Sequence, residues 1–218
     1  MKIIKAYFII EDEINGKEIL KKLEKAGRTC YKSEEKIDEK SSYAFIKKII
    51  ESGHETILEH EKITVRVICD RGVTHEIVRH RIASYSQEST RYCNYSADKF
   101  GREITVVGPC FWPTKDAKRN IIDEDFPKKV VWREAMEFAE KSYLKLIELG
   151  ATPQEARSVL PNSLKTEIVM TMNLREWRHF FKLRCSPKAH PQMREIAIPL
   201  LNEFQKLIPV IFDDITVE

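Results

Sequence analysis

Glycine is scarce in this sequence, and the glycines that occur lie far apart. The chain has 7 glycines among 218 residues, and none of their spacings matches G-x-G-x-x-G or the Walker A motif. The two commonest glycine-rich phosphate cradles are therefore excluded. If the protein holds nucleotides, side chains must bind them in place of a backbone loop.

Paired cysteines are absent as well. The 5 cysteines are widely spaced and odd in number, without a C-x-x-C pair, so we expect free thiols and a cytoplasmic protein. The apolar run that follows Met1 is too short for a signal peptide, and no run approaches the length of a membrane span. We therefore expect no membrane partner.

Charge of one sign is not in excess either. The chain has 37 Lys and Arg residues against 34 Asp and Glu residues, which leaves a net charge of +3. A general nucleic-acid-binding surface usually has a strong basic excess, so we expect no nucleic-acid partner. Anion binding must then come from local clusters of arginine.

Hydrophobic periodicity predicts a mixture of strands and helices without a linker or an internal repeat. We therefore expect one α+β domain over residues 1–218, with a twisted mixed or antiparallel sheet flanked by helices. Residues 81–96 show no hydrophobic periodicity, which predicts a loop or a short irregular helix. The charged stretch 114–128, with prolines beside it, predicts a mobile surface loop. Predicted strands cover 2–10, 62–69, 103–107 and 164–172, and predicted helices cover 14–26 (ended by Gly27), 41–52, 73–80, 129–149, 174–183 and 191–208.

The polar segment 79–92 has the highest density of chemistry-bearing side chains. Arginines 79, 81 and 91, one histidine, several hydroxyl residues and two tyrosines occur within it. The planar fork of arginine suits phosphate oxygens, and clustered guanidinium groups repel one another unless an anion or a buried carboxylate is near. The segment therefore favours anion binding, with a solvated polar loop as the alternative.

Two other kinds of catalytic site find little support. His75 and His80 are one residue too far apart for H-E-x-x-H, and ligands five apart on a helix point roughly 140° from each other, so no metal site is expected. There is no G-x-S-x-G motif for a serine nucleophile. Ser89 is better interpreted as a hydrogen-bond donor to an anion.

Four segments with chemistry-bearing side chains occur over roughly residues 50–185. They are Arg79-His80-Arg81 followed by seven residues and Ser89, Gly53-His54 with Glu59-His60, Ala156-Arg157 with Leu160-Pro161, and Asn173-x-Arg175 with His179-Phe180 and Leu183-Arg184. In order and spacing, these segments resemble the motifs of the flavin-dependent thymidylate synthase family. Each short motif alone is moderate evidence, and the four in order are strong evidence. The chain departs from the family at Ser86-Gln87, where Asn-Glu is common, so Gln87 keeps the hydrogen bonds without the charge.

The resemblance implies the reductive methylation of dUMP to dTMP. Methylenetetrahydrofolate would supply the carbon, reduced FAD the hydride, and NADPH would re-reduce the flavin. No protein nucleophile would bond to the substrate, because the cofactor carries the bond chemistry. The resemblance also implies a homotetramer whose active sites are shared between subunits.

The resemblance further implies roles for individual residues. Arg184 is implied as the catalytic group, since a guanidinium stabilises negative charge on N3 and O2 of the pyrimidine without titrating. The folate and nicotinamide side of the flavin is assigned to His54 and Tyr92. The dUMP set is Glu76, Ile77, Val78, Arg79, Gln87, Glu88, Ser89, Thr90, Arg91, Arg157 and Arg184. The FAD set is Thr56, Arg79, His80, Arg81, Gln87, Asn173, Leu174, Arg175 and His179.

Some of these residues also have ordinary structural explanations. Arg184 could cap the C-terminus of its helix, and Asn173 could cap the N-terminus of the same helix while also contacting flavin. His179 could be a packed histidine, and Glu76 could form a salt bridge with Arg79 or His80.

Two other functions compete with the synthase. The arginine segment could clamp an RNA backbone or a regulatory nucleotide without turnover, in which case binding would depend steeply on salt. A flavin oxidoreductase acting on a different nucleotide is the second rival. Release of the C5 hydrogen from dUMP separates that rival from a synthase.

Overall fold

The structure is a computed structural model and describes residues 1–112 and 123–217. Within these ranges, no helix is both long enough and apolar enough to cross a bilayer. The strands are β1 (Lys2–Ile4), β2 (Tyr7–Ile10), β3 (Lys62–Asp70), β4 (Ala83–Gln87), β5 (Thr105–Val107) and β6 (Lys165–Asn173). The helices are α1 (Gly16–Thr29), α2 (Ser41–Glu51), α3 (Arg71–Ile77), α4 (Phe126–Glu148), α5 (Pro153–Ala156), α6 (Leu174–Arg184) and α7 (Pro191–Leu207).

The strands form two sheets, and the α+β class is confirmed. β1 pairs in parallel with β5, with Ile3 opposite Val106, and a four-stranded sheet has the order β2-β3-β6-β4. The expected single strand over 2–10 is wrong, because the chain leaves strand geometry at Lys5 and Ala6 and its two halves join different sheets. The prediction of one sheet is therefore corrected to two.

Other sequence-based boundaries also need correction. Residues 83–87 form β4 where a loop or irregular helix was expected. Gly27 does not end α1 but lies buried inside it. A Cβ atom at Gly27 would lie 2.6 Å from side-chain atoms of Ile57 and Phe45, so the absence of a side chain permits close packing there. Of the predicted loop 114–128, residues 114–122 lie outside the described residues and 126–128 begin α4.

The chain divides into two compact units, each built from three segments. Unit 1 comprises Met1–Tyr7, Ile68–Ile77 and Gln87–Ile168. Unit 2 comprises Phe8–Val67, Val78–Ser86 and Val169–Glu218. β3 and β6 each pass from one unit into the other.

Unit 1 has a core of apolar side chains around α4 and β5. The buried members are Tyr95, Ile104, Val106, Met136, Tyr143, Ala156 and Leu164. α4 ends before Gly150, whose φ of +93° is accessible to glycine at little cost. A capping box then starts α5, because Thr152 and Glu155 each accept the other's backbone N–H. This cap fixes the helical turn that presents Arg157.

Unit 2 has an aromatic core beneath α6 and α7. Rings of Trp177, Phe181, Phe204 and Phe212 meet at centroid separations of 5.1–5.6 Å, mostly edge to face, which is a favourable geometry for such pairs. The Trp177 Nε1–H donates to the carbonyl of Ile63 on β3 at 3.1 Å. α6 is therefore held firmly against the sheet, with its polar face turned toward the site.

Candidate active site

A polar cavity of about 430 Å³ opens beside the first turn of α6 in unit 2. The N-terminus of a helix favours anions, because its backbone N–H groups and its dipole point outward. Three predicted flavin-binding residues, Asn173, Arg175 and His179, meet at this cavity. Its full lining is Glu55, Glu59, Ile82, Asn173, Arg175, Glu176, His179 and Lys182.

Asn173 is both a helix cap and a residue of the cavity wall. Its Oδ1 accepts the backbone N–H of Glu176 at 2.8 Å, which confirms the N-cap of α6, and the residue also lines the cavity. The next residue, Leu174, is buried and its N–H donates to the carbonyl of Glu61. Leu174 therefore anchors the first turn of α6, and the cap fixes where that turn begins.

Two acidic groups of the cavity, Glu59 and Glu55, are neutralised by neighbouring cations. Arg175 donates to Glu59 at 2.6 Å, and this hydrogen bond raises the pKa of the guanidinium. The Nε of Arg178 donates to Glu55 at 3.1 Å, and Lys182 lies 3.7 Å from the same carboxylate. The acids therefore do not exclude an anionic ligand from the helix N-terminus.

His80 is the buried centre of a hydrogen-bonded chain in unit 2. Only 3% of the residue is exposed. Its Nδ1 lies 3.3 Å from Glu176 Oε1, and its Nε2 lies 3.1 Å from Arg184 Nε. Burial, then Arg184 and His179, lower the pKa of His80 to about 4. The imidazole is therefore neutral at physiological pH, and one of its nitrogens can accept a hydrogen bond.

His80, Glu176 and His179 bring potential metal-binding atoms within 4.8 Å of one another. Both ring nitrogens of His80 are already engaged, however, and the partner at Nε2 is the cationic Arg184. A metal ion would have to displace that guanidinium and stand beside its charge. The donor set therefore suits positioning of Arg184 better than metal coordination.

Tyr85 packs against the same group from β4. Its hydroxyl donates to the carbonyl of His80 at 2.7 Å. Burial and the nearby carboxylate of Glu176 raise the pKa of Tyr85 to about 12, although Arg184 lowers it. The phenol therefore stays protonated and holds the backbone at His80 in place.

Unit 1 contains a second group of predicted residues, which suits an anion. The Nε of Arg91 donates to Gln154 Oε1 at 2.9 Å, and Ser89 Oγ accepts the backbone N–H of Arg91 at 3.3 Å. Gln154 and Arg157 are three residues apart on one helical turn and therefore share a face. The structure thus brings the exposed Arg91 side chain to the helix face that carries Arg157.

Gln87 is held by two threonine hydroxyls in unit 1. Its Nε2 donates to Thr74 Oγ1 at 3.2 Å and to Thr166 Oγ1 at 3.3 Å. Both threonines are buried. The amide at position 87 is therefore fixed by protein groups, and this arrangement was not visible in the sequence.

Glu88 forms a structural ion pair. Its carboxylate accepts from Lys165 Nζ at 2.9 Å and from the Tyr95 hydroxyl at 2.9 Å. Burial and the Glu88 charge raise the pKa of Tyr95. These bonds satisfy both carboxylate oxygens from within unit 1.

The remaining predicted residues differ in exposure. In unit 1, Ile77 and Thr90 are buried, Glu76 is half-buried and Tyr92 is exposed. In unit 2, His54 and Thr56 lie at the start of the 3₁₀ turn Glu55–His60 without lining the cavity. Three predicted residues that precede β4 in the chain are exposed, namely Val78, Arg79 and Arg81.

Comparison with known proteins defines the family. A family model described as thymidylate synthase complementing protein, Thy1, matches residues 14–210 of this chain. The chain belongs to the Thy1 family. The resemblance that the four sequence segments carry is thereby confirmed.

Several curated relatives of this Thy1 chain are flavin-dependent thymidylate synthases. The protein of Geobacter sulfurreducens is 35% identical over 196 residues, which cover 87% of this chain and 78% of the relative. The protein of Corynebacterium glutamicum is 34% identical over 224 residues, covering 94% and 82%. The protein of Pyrococcus abyssi is 39% identical over 173 residues, covering 79% and 66%.

Several residues that line the cavity of this Thy1 protein were not predicted from the sequence. Glu55, Glu176 and Lys182 line it without having been assigned a role, although all three lie within the recognised motif segments. The sequence offered no signal for the contact of Glu176 with His80, which lies 96 positions earlier.

Proposed function

We propose that this Thy1 protein methylates dUMP to dTMP at a site that contains Arg184. Methylenetetrahydrofolate supplies the carbon, FAD is the cofactor, and NADPH is the reductant. The observation that carries this proposal is the Arg184–His80 contact at 3.1 Å within a chain matched to the family over residues 14–210. A fixed guanidinium of this kind is what pyrimidine activation requires.

The α6 cavity fits the anionic part of FAD. The helix N-terminus, Asn173, Arg175 and His179 offer hydrogen-bond donors, and the carboxylates of Glu59 and Glu55 are paired with cations. When bound and reduced by NADPH, FAD would supply the hydride that completes the methyl group. The residues proposed to hold it are Thr56, Arg79, His80, Arg81, Gln87, Asn173, Leu174, Arg175 and His179.

The phosphate of dUMP is proposed to bind Arg79, Ser89, Arg91 and Arg157. Arg91 donates to Gln154, which lies three residues before Arg157 on the same helical turn. A planar guanidinium can donate two hydrogen bonds to one phosphate. The full proposed dUMP set is Glu76, Ile77, Val78, Arg79, Gln87, Glu88, Ser89, Thr90, Arg91, Arg157 and Arg184. Glu88 acts there by positioning its segment, since both of its oxygens are taken by Lys165 and Tyr95.

Arg184 is proposed to stabilise the negative charge that develops on N3 and O2 of the pyrimidine during methylation. A guanidinium stays protonated throughout and donates along a fixed plane. No protein nucleophile is required. Burial raises the pKa of the neighbouring Cys185 to about 11 and raises the pKa of Cys69, so these thiols carry little nucleophilic thiolate at neutral pH.

The remaining assignments concern access and assembly. His54 and Tyr92 are proposed to face the folate and nicotinamide. The protein is proposed to work in the cytoplasm, since its 5 cysteines are free. A homotetramer with shared active sites is proposed, because α4 exposes large apolar side chains, Val131 at 67% and Phe138 at 73%.

The decisive experiment measures dTMP formation and release of the C5 hydrogen from dUMP, omitting folate, FAD and NADPH in turn. Each omission should abolish product. Arg184→Ala should lose at least about 100-fold in turnover, the order typical for a group that stabilises transition-state charge, while keeping its flavin absorbance. Near-normal dTMP formation by that variant would contradict the role of Arg184. A colourless protein that shifts RNA with a steep salt dependence would contradict the synthase itself.

A further inference from the structure

Glu176, His80 and Arg184 form a continuous hydrogen-bonded chain inside unit 2. Glu176 Oε1 lies 3.3 Å from His80 Nδ1, and Arg184 Nε lies 3.1 Å from His80 Nε2. His80 is 3% exposed and Glu176 is 8% exposed. Two of the three groups are therefore shielded from water, and their hydrogen bonds must be satisfied within the protein.

The direction of each hydrogen bond follows from the chemistry of arginine. A guanidinium only donates, so His80 Nε2 must carry a lone pair. A neutral imidazole has one protonated nitrogen, so the proton is on Nδ1 and points toward Glu176. Burial keeps the pKa of His80 well below neutrality, and the ring therefore does not become doubly protonated at physiological pH.

Glu176 selects this tautomer. With its carboxylate present, the Nδ1–H of His80 has an acceptor within the buried region. If that acceptor were removed, the form protonated at Nε2 would be relatively favoured, because the buried Nδ1–H would lose its partner. An Nε2–H would face the Nε–H of Arg184 donor to donor, and the guanidinium would have to turn away.

We propose that Glu176 is a positioning residue, which acts through His80 to hold the guanidinium of Arg184 in the orientation that activates the pyrimidine. This inference rests on the proposed function, in which Arg184 contacts dUMP. It adds to that function a side chain that acts on Arg184 through another residue. It also gives His80 a role separate from flavin contact, namely that of a neutral acceptor for arginine.

The proposed role is separable from the part that Glu176 plays in the helix. The N-cap of α6 uses the backbone N–H of Glu176, which donates to Asn173 Oδ1 at 2.8 Å. Substitution of the side chain leaves this bond in place. A change in turnover with intact helix stability therefore reports on the side-chain hydrogen bond to His80.

The kinetic test compares Glu176→Ala with Glu176→Gln in the full-length enzyme. Because small displacements of a catalytic group cost up to about 100-fold in rate, Glu176→Ala should lower kcat by roughly 10- to 100-fold. The KM for dUMP and the flavin content should change by less than about threefold, since a group that acts in the transition state affects mainly kcat. Glu176→Gln should restore most of the rate, because its amide oxygen can still accept the Nδ1–H.

Glu24→Gln is the matched control. Glu24 is also a buried carboxylate in unit 2, and it accepts from Arg28 at 2.8 Å and from Ser41 at 2.8 Å. This substitution should lower thermal stability with kcat unchanged. An unchanged kcat in Glu176→Ala, or an equal loss in Glu176→Ala and Glu176→Gln, would overturn the proposal.

The spectroscopic test does not depend on activity. Nitrogen-15 NMR of histidine-labelled protein should show His80 protonated at Nδ1 in the wild type and shifted toward Nε2 protonation in Glu176→Ala. A wild-type ring protonated at Nε2 would overturn the proposal even if the variants failed to fold.

Failure of this inference is distinguishable from failure of the proposed function. If Arg184→Ala abolishes dTMP formation and Glu176→Ala does not reduce it, only the positioning role falls. If Arg184→Ala retains normal turnover, the assignment of Arg184 falls first, and the positioning role falls with it.

Discussion

At position 87, an amide fits the surrounding groups better than a carboxylate does. The hydroxyl of Thr74 donates to the carbonyl of Arg71 at 2.8 Å, so its oxygen presents lone pairs to Gln87. The Nε2 of Gln87 donates to that oxygen and to Thr166. The departure from the Asn-Glu of the family is thus matched by a local network of threonine hydroxyls.

Gln87→Glu should therefore destabilise the protein. A carboxylate has no proton to give Thr74, so the Thr74 hydroxyl must turn and abandon the Arg71 carbonyl, at a cost of roughly 1–3 kcal/mol. Thermal unfolding measures this loss. In a Thr74→Ala background the hydroxyl oxygen of Thr74 is absent, so Gln87→Glu should lower the free energy of unfolding by a smaller amount. An equal cost in both backgrounds would mean that the threonine does not select the amide.

The titration of His80 should make stability depend on pH. Its pKa falls from the usual 6.5 to about 4 on folding, so the unfolded chain binds the proton more tightly and stability declines as the pH falls from about 6.5 to 4. Between these pH values, this titration lowers the free energy of unfolding by roughly 3 kcal/mol. Burial raises the pKa of Glu176 above its usual 4.5. This carboxyl therefore makes the stability decline as the pH rises above 4.5, which is opposite to the effect of His80.

Denaturant unfolding at about pH 7 and pH 5 tests this dependence. The wild type should lose more unfolding free energy across that interval than His80→Gln, in which the titrating ring is absent. The lowered pKa of Asp214 contributes only at still lower pH, so it does not confuse the comparison. Equal losses in the two proteins would exclude His80 as the group that titrates.

At the scale of elements, Arg178 joins α6 to the C-terminal segment and to the 3₁₀ turn before β3. It is 1% exposed, donates to Asp214 at 2.6 and 2.7 Å, to Glu55 at 3.1 Å, and also to the carbonyl of Ile211. These bonds lower the pKa of Asp214. The buried Arg178 therefore fixes the carboxylate of Glu55, which lines the cavity.

Arg178→Met should cost roughly 3 kcal/mol, the low end for breaking a buried ion pair, because Asp214 is partly exposed. Asp214→Asn in addition should recover part of that loss, since it removes one uncompensated charge. The control is Arg133→Ala in the exposed pair with Glu137, which should change stability by less than about 0.5 kcal/mol. A similarly small effect of Arg178→Met would show that its network adds nothing to folding.

The helices and strands were predictable where their signals are local. The N-cap at Asn173 is confirmed, because capping involves residues within one turn. β4 was missed, since Ser84 and Ser86 face solvent and the strand depends on pairing with β6. Pairing between distant segments leaves no periodic trace in a short polar stretch.

The candidate site was predictable only through its motifs. Asn173, Arg175 and His179 were predicted together and do line one cavity. The hydrogen-bond partners of the site residues were not predicted, because they are distant in sequence. Glu176 contacts His80 across 96 positions, and Gln87 contacts Thr166 across 79 positions. Such contacts depend on the tertiary fold, and a single sequence contains no record of them.

At the scale of the whole molecule, α4 carries large exposed apolar side chains. Phe126, Val131 and Phe138 are 62%, 67% and 73% exposed, and Val131 and Phe138 lie seven residues apart on one face of the helix. A cavity of about 560 Å³ beside this face is lined mostly by apolar side chains, including Trp112 and Trp132. Large exposed apolar patches are common at protein contacts, and this face is the one that we propose for contact between subunits.

Phe138→Glu should therefore weaken self-association. Burying one phenylalanine contributes roughly 1.5–3 kcal/mol, so placing a charge there should weaken assembly by at least about 10-fold. Light scattering coupled to size exclusion should show a smaller species at low protein concentration, and turnover should fall with it if active sites are shared. Arg133→Glu, on the opposite side of α4, is the control and should leave the mass unchanged. A Phe138→Glu protein with wild-type mass and turnover would assign the apolar face of α4 to some purpose other than assembly.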